Sequence, residues 1–392
     1  MKNLTLSLLL ACFTYGLNAQ GIQFFEGSWD QAVEKATKEN KHIFVDAYAV
    51  WCGPCKWMNA NIFPEEEVGT FYNKNFVNVK LDMEKEGDGK DMADKMKVRS
   101  YPTFLFFSPK GEPTHRSVGG RQTEEFVQLG ADALNEQTQY YEIKKKYDAN
   151  KDDPEWVLNY ALAMQNAGES PKDVMEHFAE LTNQDDWGMP HNWERIVQIE
   201  VPFTSPLYSY ALKNEAELSK LVEQEWMFEA FKSYPQRSFI RQIVGETETE
   251  AELQPAFVTI TEVLPQNDSP AMVAKLHAEW YKRHQPEDAW EKVCIYLDNF
   301  CESSNELNSA AWKLAEDETA DANKLHSGLM WVNKSIQLAR SYGNLDTKAW
   351  ILYRLGKMSE AELAANEAIE AAKAADQDYA GTTELLQLIH GS

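Results

Sequence analysis

The sequence Trp51–Cys52–Gly53–Pro54–Cys55–Lys56 comes directly after a β-rich run, His42 to Val50, and together these segments decide the fold class. The run predicts a buried strand. Proline is well tolerated in the first turn of a helix, so Pro54 favours a helix that begins beside both cysteines. The free N–H groups at a helix N-terminus stabilise a thiolate. We therefore predict that Cys52 is a nucleophile and that Cys55 resolves the mixed disulfide.

Two other interpretations of this cysteine pair are weaker. A zinc site needs about four ligands, and the sequence has no second C-x-x-C motif and no pair of histidines at zinc-binding spacing. A purely structural disulfide is disfavoured because the motif follows a strand and opens a helix, which is the context of redox-active pairs. We expect no metal, and no cofactor beyond the redox-active disulfide Cys52–Cys55.

Helices and strands alternate on both sides of the pair. The predicted elements are a helix at 29–40, the strand at 42–50, a helix from Cys52 toward Phe63, a strand at 76–81, a helix at 88–97, a strand at 103–107, a short strand ending near Gly120, and a helix capped by Thr123. This order is a βαβ unit followed by a β-hairpin and a helix, so the fold class is α/β.

Residues 22–137 resemble thioredoxin. The motifs that carry the resemblance are Phe44–Val45–Asp46, Trp51 to Lys56, Val79–Lys80–Leu81–Asp82, Tyr101–Pro102–Thr103 and Val118–Gly119–Gly120. They cover residues 22–137, about a third of the chain. The stretch Phe63 to Val68 is similar to exported thioredoxin-like domains, of which the periplasmic C-terminal domain of the electron-relay protein DsbD is the nearest kind. The resemblance implies a thiol–disulfide oxidoreductase.

The resemblance also assigns roles around the cysteines. Asp46 matches the buried carboxylate of the family, which accepts the proton of Cys55 during resolution, and Lys80 matches the lysine that pairs with it. A lysine in a strand is often simply exposed, so the role of Lys80 stays open. Pro102 matches the cis-proline opposite the active site, where backbone groups pair with an extended substrate.

The remaining candidates belong to the substrate-binding surface. Gly53 and Pro54 let the chain turn and start the helix. Trp51 covers the site or fills space, and Tyr101 shapes the substrate groove or packs. Gly119 lets a substrate chain come close to the backbone or only serves a turn.

The first nineteen residues predict a secretory signal peptide. A lysine at position 2 is followed by a mostly apolar stretch, Leu4 to Leu17, which is too short to span a bilayer, and Ala19 fits cleavage before Gln20. A lipoprotein anchored at Cys12 is the alternative. We therefore expect a secreted, periplasmic protein without an integral membrane span.

Residues beyond about 140 differ from the preceding α/β region, because sequence patterns typical of β-strands are nearly absent there. The expected domains are residues 20–140 (thioredoxin-like), a linker at 141–155, and an all-α domain at 156–392. Ala349, Gly356, Ala361 and Ala368 have the small-residue spacing of tetratricopeptide repeats (TPR), so this domain resembles degenerate TPR-like helix pairs. Stacked helix pairs often bind peptides, but a scaffold that only positions the redox domain is an equal alternative.

The charge is concentrated in the same region. The net charge is −24, and residues 151–392 hold 41 acidic and 20 basic residues, against 21 and 17 in residues 21–150. This excludes a typical nucleic-acid binder, which needs clustered lysine and arginine. The expected partners are disulfide-containing exported proteins and an upstream thiol electron donor.

A second pair, Cys294 and Cys301, is seven residues apart. In one unbroken helix the two Cα atoms would be about 10.5 Å apart, too far for a disulfide, whereas a turn at Asp298–Asn299 would permit a bridge. A bridge, two inert buried thiols and electron exchange with Cys52–Cys55 are all open.

Overall fold

The computed structural model describes residues 21–391, which divide into two compact units, 21–232 and 233–391. The expected signal peptide and the alternative lipid anchor at Cys12 lie outside the described residues. The first unit contains a four-stranded sheet with the order β2-β1-β3-β4. Its strands are β1 (His42–Tyr48), β2 (Phe76–Asp82), β3 (Thr103–Phe107) and β4 (Pro113–Val118). Strand β1 is parallel to β2 and antiparallel to β3, and β4 is antiparallel to β3.

Helices cover both faces of this sheet. They are α1 (Trp29–Glu39), α2 (Gly53–Asn61), α3 (Glu66–Asn75), α4 (Asp88–Met96) and α5 (Thr123–Leu134). Because successive strand residues point to opposite faces, Val45 packs in one apolar cluster with α1 and α4, whereas Phe44 packs in a second cluster with α2, α3 and α5. The sheet therefore lies between two fully formed apolar layers.

The predicted α/β fold followed by an all-helical region is confirmed. Helix α3 was not among the sequence predictions, although Glu66 and Glu67 in its first turn suit the positive end of a helix. The residue that caps α5 is Gln122 rather than Thr123, because Gln122 and Glu125 form a reciprocal capping box.

The first unit continues with helices beyond the sheet. They are α6 (Tyr140–Ala149), α7 (Pro154–Ala167), α8 (Lys172–Leu181), α9 (Gln184–Trp187), α10 (Pro190–Ile196), α11 (Pro206–Lys213), α12 (Glu215–Leu218), a 3-10 turn (Ser219–Leu221), and α13 (Glu225–Glu246), which ends in the second unit. Both α6 and α7 pack against β4. Residues 141–155, which were expected to be a linker, thus contain most of α6 and the start of α7. The limits of the domains stay a prediction.

The second unit is helical wherever it has regular structure. Its remaining elements are a 3-10 turn (Glu250–Leu253), α14 (Gln254–Val263), α15 (Ser269–His284), α16 (Ala289–Asn299), α17 (Ser304–Glu316), α18 (Ala322–Leu338), α19 (Tyr342–Arg354), α20 (Met358–Ala374) and α21 (Ala380–Gly391). Helices that follow one another in the chain pack in pairs, α15 with α16, α17 with α18 and α19 with α20. Ala349, Ala361 and Ala368 are fully buried, so small side chains lie inside the α19–α20 pair. Among the described residues, no helix is long and apolar enough to cross a bilayer.

Candidate active site

Helix α2 places the two cysteines at its positive end. Cys52 is the N-cap residue, Pro54 occupies the first turn, and the backbone N–H of Cys55 donates to Cys52 Sγ over 3.1 Å. The two cysteines form a disulfide with their Cα atoms 5.3 Å apart, and both are buried. After reduction, the Cys52 sulfur would keep the N–H donor and the helix dipole, both of which favour its thiolate form.

Asp46 lies in the middle of β1, where it is almost completely buried. Burial raises the pKa of Asp46 to about 6, even though the nearby Lys80 ammonium acts in the opposite direction. The Asp46 Oδ1 atom has no hydrogen-bond partner in the described part of the chain. A carboxylate with an unpaired oxygen and a pKa near 6 can take up and release a proton near neutral pH.

Lys80 lies opposite Asp46 in the register of β1 and β2. Its Nζ is 3.5 Å from Asp46 Oδ2 but donates a much shorter hydrogen bond, 2.6 Å, to Oδ1 of Asn59. The ammonium also lies between 5.1 and 5.5 Å from the centroids of three rings, those of Phe24, Tyr48 and Phe63. Lys80 is therefore shared between the carboxyl group and an amide of α2, in an aromatic surrounding that favours a cation.

The loop before β3 comes close to the cysteines. The Tyr101–Pro102 peptide bond is cis, as the resemblance implies. The backbone N–H of Gly119 donates to the carbonyl of Pro102 over 2.9 Å. Gly119 has φ of +88°, a conformation that other residues rarely adopt. The Arg121 guanidinium donates to the carbonyls of Gly119 and Gly120, which holds the turn after β4 in place.

Trp51 is the most exposed part of this surface, with 64% of the residue accessible. Its indole Nε1–H donates to both carboxylate oxygens of Glu84 at 3.0 Å, and its ring meets the edge of Tyr101 at a centroid distance of 5.8 Å. Val50 and Trp57 are exposed apolar residues of the same segment. Exposed apolar side chains therefore lie on both sides of the buried Cys52–Cys55 pair in the chain.

The structure brings most of the sequence-predicted residues together. Tyr101 packs in one small apolar cluster with both cysteines, Trp51 contacts Tyr101, and Pro102 is bonded to Gly119. Asp46 and Lys80 form a second group below α2. Gly53 has open space where a side chain would begin, so nothing in its surroundings requires glycine. The catalytic and binding roles of these residues stay predictions.

Known proteins that are similar to this chain match it in the region of the four-stranded sheet. A family model described as a thioredoxin-like domain matches residues 29–134. A thioredoxin-like protein of Synechocystis sp. is 34% identical over 88 residues, which are 22% of this chain and 77% of that protein. The chain belongs to the thioredoxin-like family.

Two further similarities concern the same part of this thioredoxin-like chain. Chloroplastic thioredoxin Y of Oryza sativa is 33% identical over 107 residues, 27% of this chain and 58% of that protein. The chain thus spans little more than half of that relative. A solution structure from Bacteroides thetaiotaomicron has 38% identity, covers 30% of this chain and 95% of the other, and aligns with a TM-score of 0.28.

The second cysteine pair of this thioredoxin-like protein is not bridged. Helix α16 runs without a turn to Asn299, and both Cys294 and Cys301 are free thiols. Burial, with a smaller contribution from Asp298, raises the pKa of Cys294 to about 11, and burial also raises the pKa of Cys301. In residues 21–391, no group of three or more His, Cys, Asp or Glu side chains is placed to hold a metal ion.

Sequence reasoning missed two residues of the site, Asn59 and Glu84. Their partners, Lys80 and Trp51, are 21 and 33 residues away in the chain, so no local pattern pairs them. The position of Asn59 in the helix gave one signal. Asn59 follows Cys55 by one helical turn and therefore lies on the same face of α2.

Proposed function

We propose that this protein is an extracytoplasmic thiol–disulfide oxidoreductase that reduces disulfides of exported proteins through Cys52 and Cys55. The observation that carries the proposal is the disulfide at the N-terminus of α2, which lies against Tyr101 of the cis-proline loop. This arrangement combines a sulfur favoured as a thiolate with a half-buried loop residue, Tyr101, beside which an extended substrate would bind.

The proposed reaction has two steps. The Cys52 thiolate attacks one sulfur of a substrate disulfide and forms a mixed disulfide with it, while the substrate S–S bond breaks and the first substrate thiolate leaves and takes up a proton from water. Cys55 then loses its proton to Asp46 and attacks Cys52 Sγ, which forms the Cys52–Cys55 disulfide and releases the second substrate thiol. Two electrons pass to the substrate, and an upstream thiol donor restores the dithiol.

The direction of electron flow is part of the proposal. The Gly53–Pro54 pair between the cysteines resembles reducing thioredoxins, which favours a reductant. Equilibration with glutathione or dithiothreitol, followed by alkylation and mass measurement, gives the reduction potential. A value near −270 mV, about that of thioredoxin, supports a reductant. A value near −120 mV, about that of DsbA, would show a disulfide oxidase, and an intermediate value would favour an isomerase.

The oxidoreductase activity itself is tested with the full chain and a fluorogenic peptide disulfide. The wild-type protein, reduced beforehand, should reduce the peptide in a single turnover, and Cys52→Ser should not. Cys294→Ser is the matched control, because it removes a thiol of the second pair. Full activity of Cys52→Ser would overturn the proposal.

A second candidate function is a TPR-like interaction scaffold with a regulatory redox domain. The observation that favours it is the pairing of consecutive helices around buried alanines in α19 and α20. Such pairs, stacked in series, create surfaces that bind peptides. If a partner captured by the full chain is still held by the Cys52→Ser/Cys55→Ser variant, the helical region works independently of the redox site.

Export is proposed from the sequence of residues 1–19 alone. Cleavage before Gln20 in the mature protein, measured by intact mass, would support it. Incorporation of labelled palmitate at Cys12 would instead support the lipoprotein alternative.

A further inference from the structure

We propose that a basic cleft beside the Tyr101–Pro102 loop binds an acidic segment of the polypeptide whose disulfide is reduced. This inference rests on the proposed function and names a chemical preference for its substrate. The cleft has a volume of about 560 Å³ and lies within the first unit. Its cationic side chains are Lys95, Lys97, Arg99, Arg116 and Lys144.

The charge of this basic cleft contrasts with that of the whole chain. The net charge of the protein is −24, yet one carboxylate, that of Glu169, faces the five cations. That carboxylate is already engaged, because it accepts a hydrogen bond from Tyr140 Oη at 2.8 Å and lies 3.5 Å from Arg116 Nη1. The four exposed cations are Lys95, Lys97, Arg99 and Lys144, and none of them forms an ion pair within residues 21–391.

Arg116 forms a fixed floor to the basic cleft. Only 6% of it is exposed, and its Nη1 donates to the carbonyl of Met96 over 3.1 Å. Its Nε has no acceptor among the described residues. The Arg116 guanidinium is therefore held by the fold with one N–H donor left unpaired, which favours an anion in the cleft.

The position of the basic cleft relates it to the redox site. Arg99 and Ser100 line the cleft and directly precede the Tyr101–Pro102 loop. Because Arg99 is three residues before Pro102, the Cα atoms of these two residues are at most about 11 Å apart. On the other side, Gly168 of the α7–α8 turn lies against Val118, since a Cβ there would meet that side chain at 2.8 Å. The helices after the sheet thus form one wall of the cleft.

The distance sets which substrate residues can reach the basic cleft. An extended chain advances about 3.3 Å per residue, so a substrate that pairs beside Pro102 reaches Arg99 with a residue three or four positions from its reacting cysteine. A larger cavity of about 1000 Å³, which Arg116 also lines, has three acidic and three basic residues in its wall and offers no such preference. The geometry therefore favours acidic residues at those positions.

Binding is tested with full-length oxidised protein and two fluorescein-labelled peptides of about 12 residues. Each has serine in place of the reacting cysteine. One carries glutamate three and four positions away on both sides, and the other carries glutamine there. At low salt, wild-type protein should bind the acidic peptide about tenfold more tightly, and about 0.5 M salt should abolish the difference because exposed charges are screened.

The discriminating variant is Lys97→Glu/Arg99→Glu, and its control is Lys74→Glu/Lys110→Glu, which makes the same charge change at exposed positions outside the basic cleft. The cleft variant should lose the preference and the control should keep it. Equal binding of both peptides by wild-type protein, or a preference kept by the cleft variant, would overturn the inference. Equally tight binding of an oligonucleotide of the same charge would overturn the assignment to an acidic peptide.

The two proposals fail separately. Peptide binding is measured without a disulfide, so it gives a result even if the protein reduces nothing. Conversely, reduction of acidic and neutral peptide disulfides at equal rates would leave the oxidoreductase proposal standing and the basic cleft without a role.

Discussion

The two cysteine pairs of this chain occupy opposite kinds of helical position. Cys52 caps the N-terminus of α2, accepts a backbone N–H and is bridged to Cys55. Cys294 lies inside α16, Cys301 follows the C-terminal end of that helix, and both are free. The positive end of a helix favours a thiolate, whereas the middle and the negative end offer no such stabilisation.

Burial alone does not distinguish the two pairs. Cys52 and Cys301 are both almost inaccessible. What differs is the surrounding polarity, since Cys52 accepts a backbone N–H at a helix N-terminus, while burial raises the pKa values of Cys294 and Cys301. The difference can be tested with variants and with chemical modification of both cysteine pairs.

The largest expected effect comes from removing the sulfur of Cys52, with removal of the Cys294 sulfur as the comparison. Cys52→Ser should lower the rate of disulfide reduction by at least about 10³-fold, because a hydroxyl cannot replace the nucleophilic thiolate. Cys294→Ser should leave the rate within twofold of wild type. The measurement is single-turnover reduction of a peptide disulfide, and a large loss in Cys294→Ser would show that the second pair takes part.

Alkylation compares the two sites directly. In the reduced protein at pH 7.5, iodoacetamide should modify Cys52 roughly 10- to 100-fold faster than Cys294. Burial raises the pKa of Cys294 to about 11, so few Cys294 thiols are ionised at pH 7.5, whereas the helix N-terminus favours the Cys52 thiolate. The lower nucleophilicity of a weaker base offsets part of this difference. Peptide mass mapping over time gives both rates. Equal rates would contradict the contrast.

A smaller effect is expected at Asp46, the proton acceptor that we assign to the first pair. Asp46→Asn should slow the resolving step by about tenfold at pH 7 and should remove the dependence of that step on a group with a pKa near 6. Asp94→Asn, an exposed position on α4, is the control. The release of the second thiol from a preformed mixed disulfide gives the rate, and an unchanged pH profile would exclude Asp46 as the acceptor.

The same substitution carries a prediction for stability. The pKa of Asp46 is about 6 in the fold, above its ordinary value of 3.8, so the folded state binds more protons between these values and loses stability as the pH rises through them. Asp46→Asn should therefore raise the free energy of unfolding by about 1 to 3 kcal/mol at pH 8, and by much less at pH 3.5. Urea titration at both pH values measures the difference.

The smallest effect is expected at Asn59. Asn59→Ala removes the acceptor that binds the Lys80 ammonium at 2.6 Å, so the ammonium can move toward Asp46. The apparent pKa of the resolving step should then fall by a fraction of a unit, and its rate should change about two- to fivefold. Asn61→Ala, two positions along the same helix, is the matched control. If both variants give the wild-type pH profile, Asn59 has only a structural role.

The sequence predicted the sheet and the cysteine pair because both depend on local patterns. The β-rich run before Cys52 and Pro54 at the helix start each constrain the backbone directly. The resemblance supplied Pro102 and Asp46, which local spacing alone does not assign. By contrast, the bond between Asn59 and Lys80 depends on how α2 packs over β2, and sequence patterns do not encode that contact.

The helical region was predicted with less detail for a related reason. Where small residues repeat, as at Ala349 and Ala361, the pairing of α19 and α20 follows from the sequence. The segment 141–155 looked like a charged linker because its apolar residues are few. Tyr140, which directly precedes this segment, is buried, and its backbone N–H donates to Nδ1 of His115 on β4. A contact between segments so far apart in the chain leaves no local signal.

That hydrogen bond and the packing of α6 and α7 have a consequence for the last strand of the sheet. Strand β4 has a neighbour on one side only, and an open strand edge is a template for pairing with a second molecule. In this protein two helices lie against that strand. We therefore expect α6 and α7 to hinder pairing of β4 with a second molecule, and a chain that ends before α6 to self-associate more readily than the full-length protein.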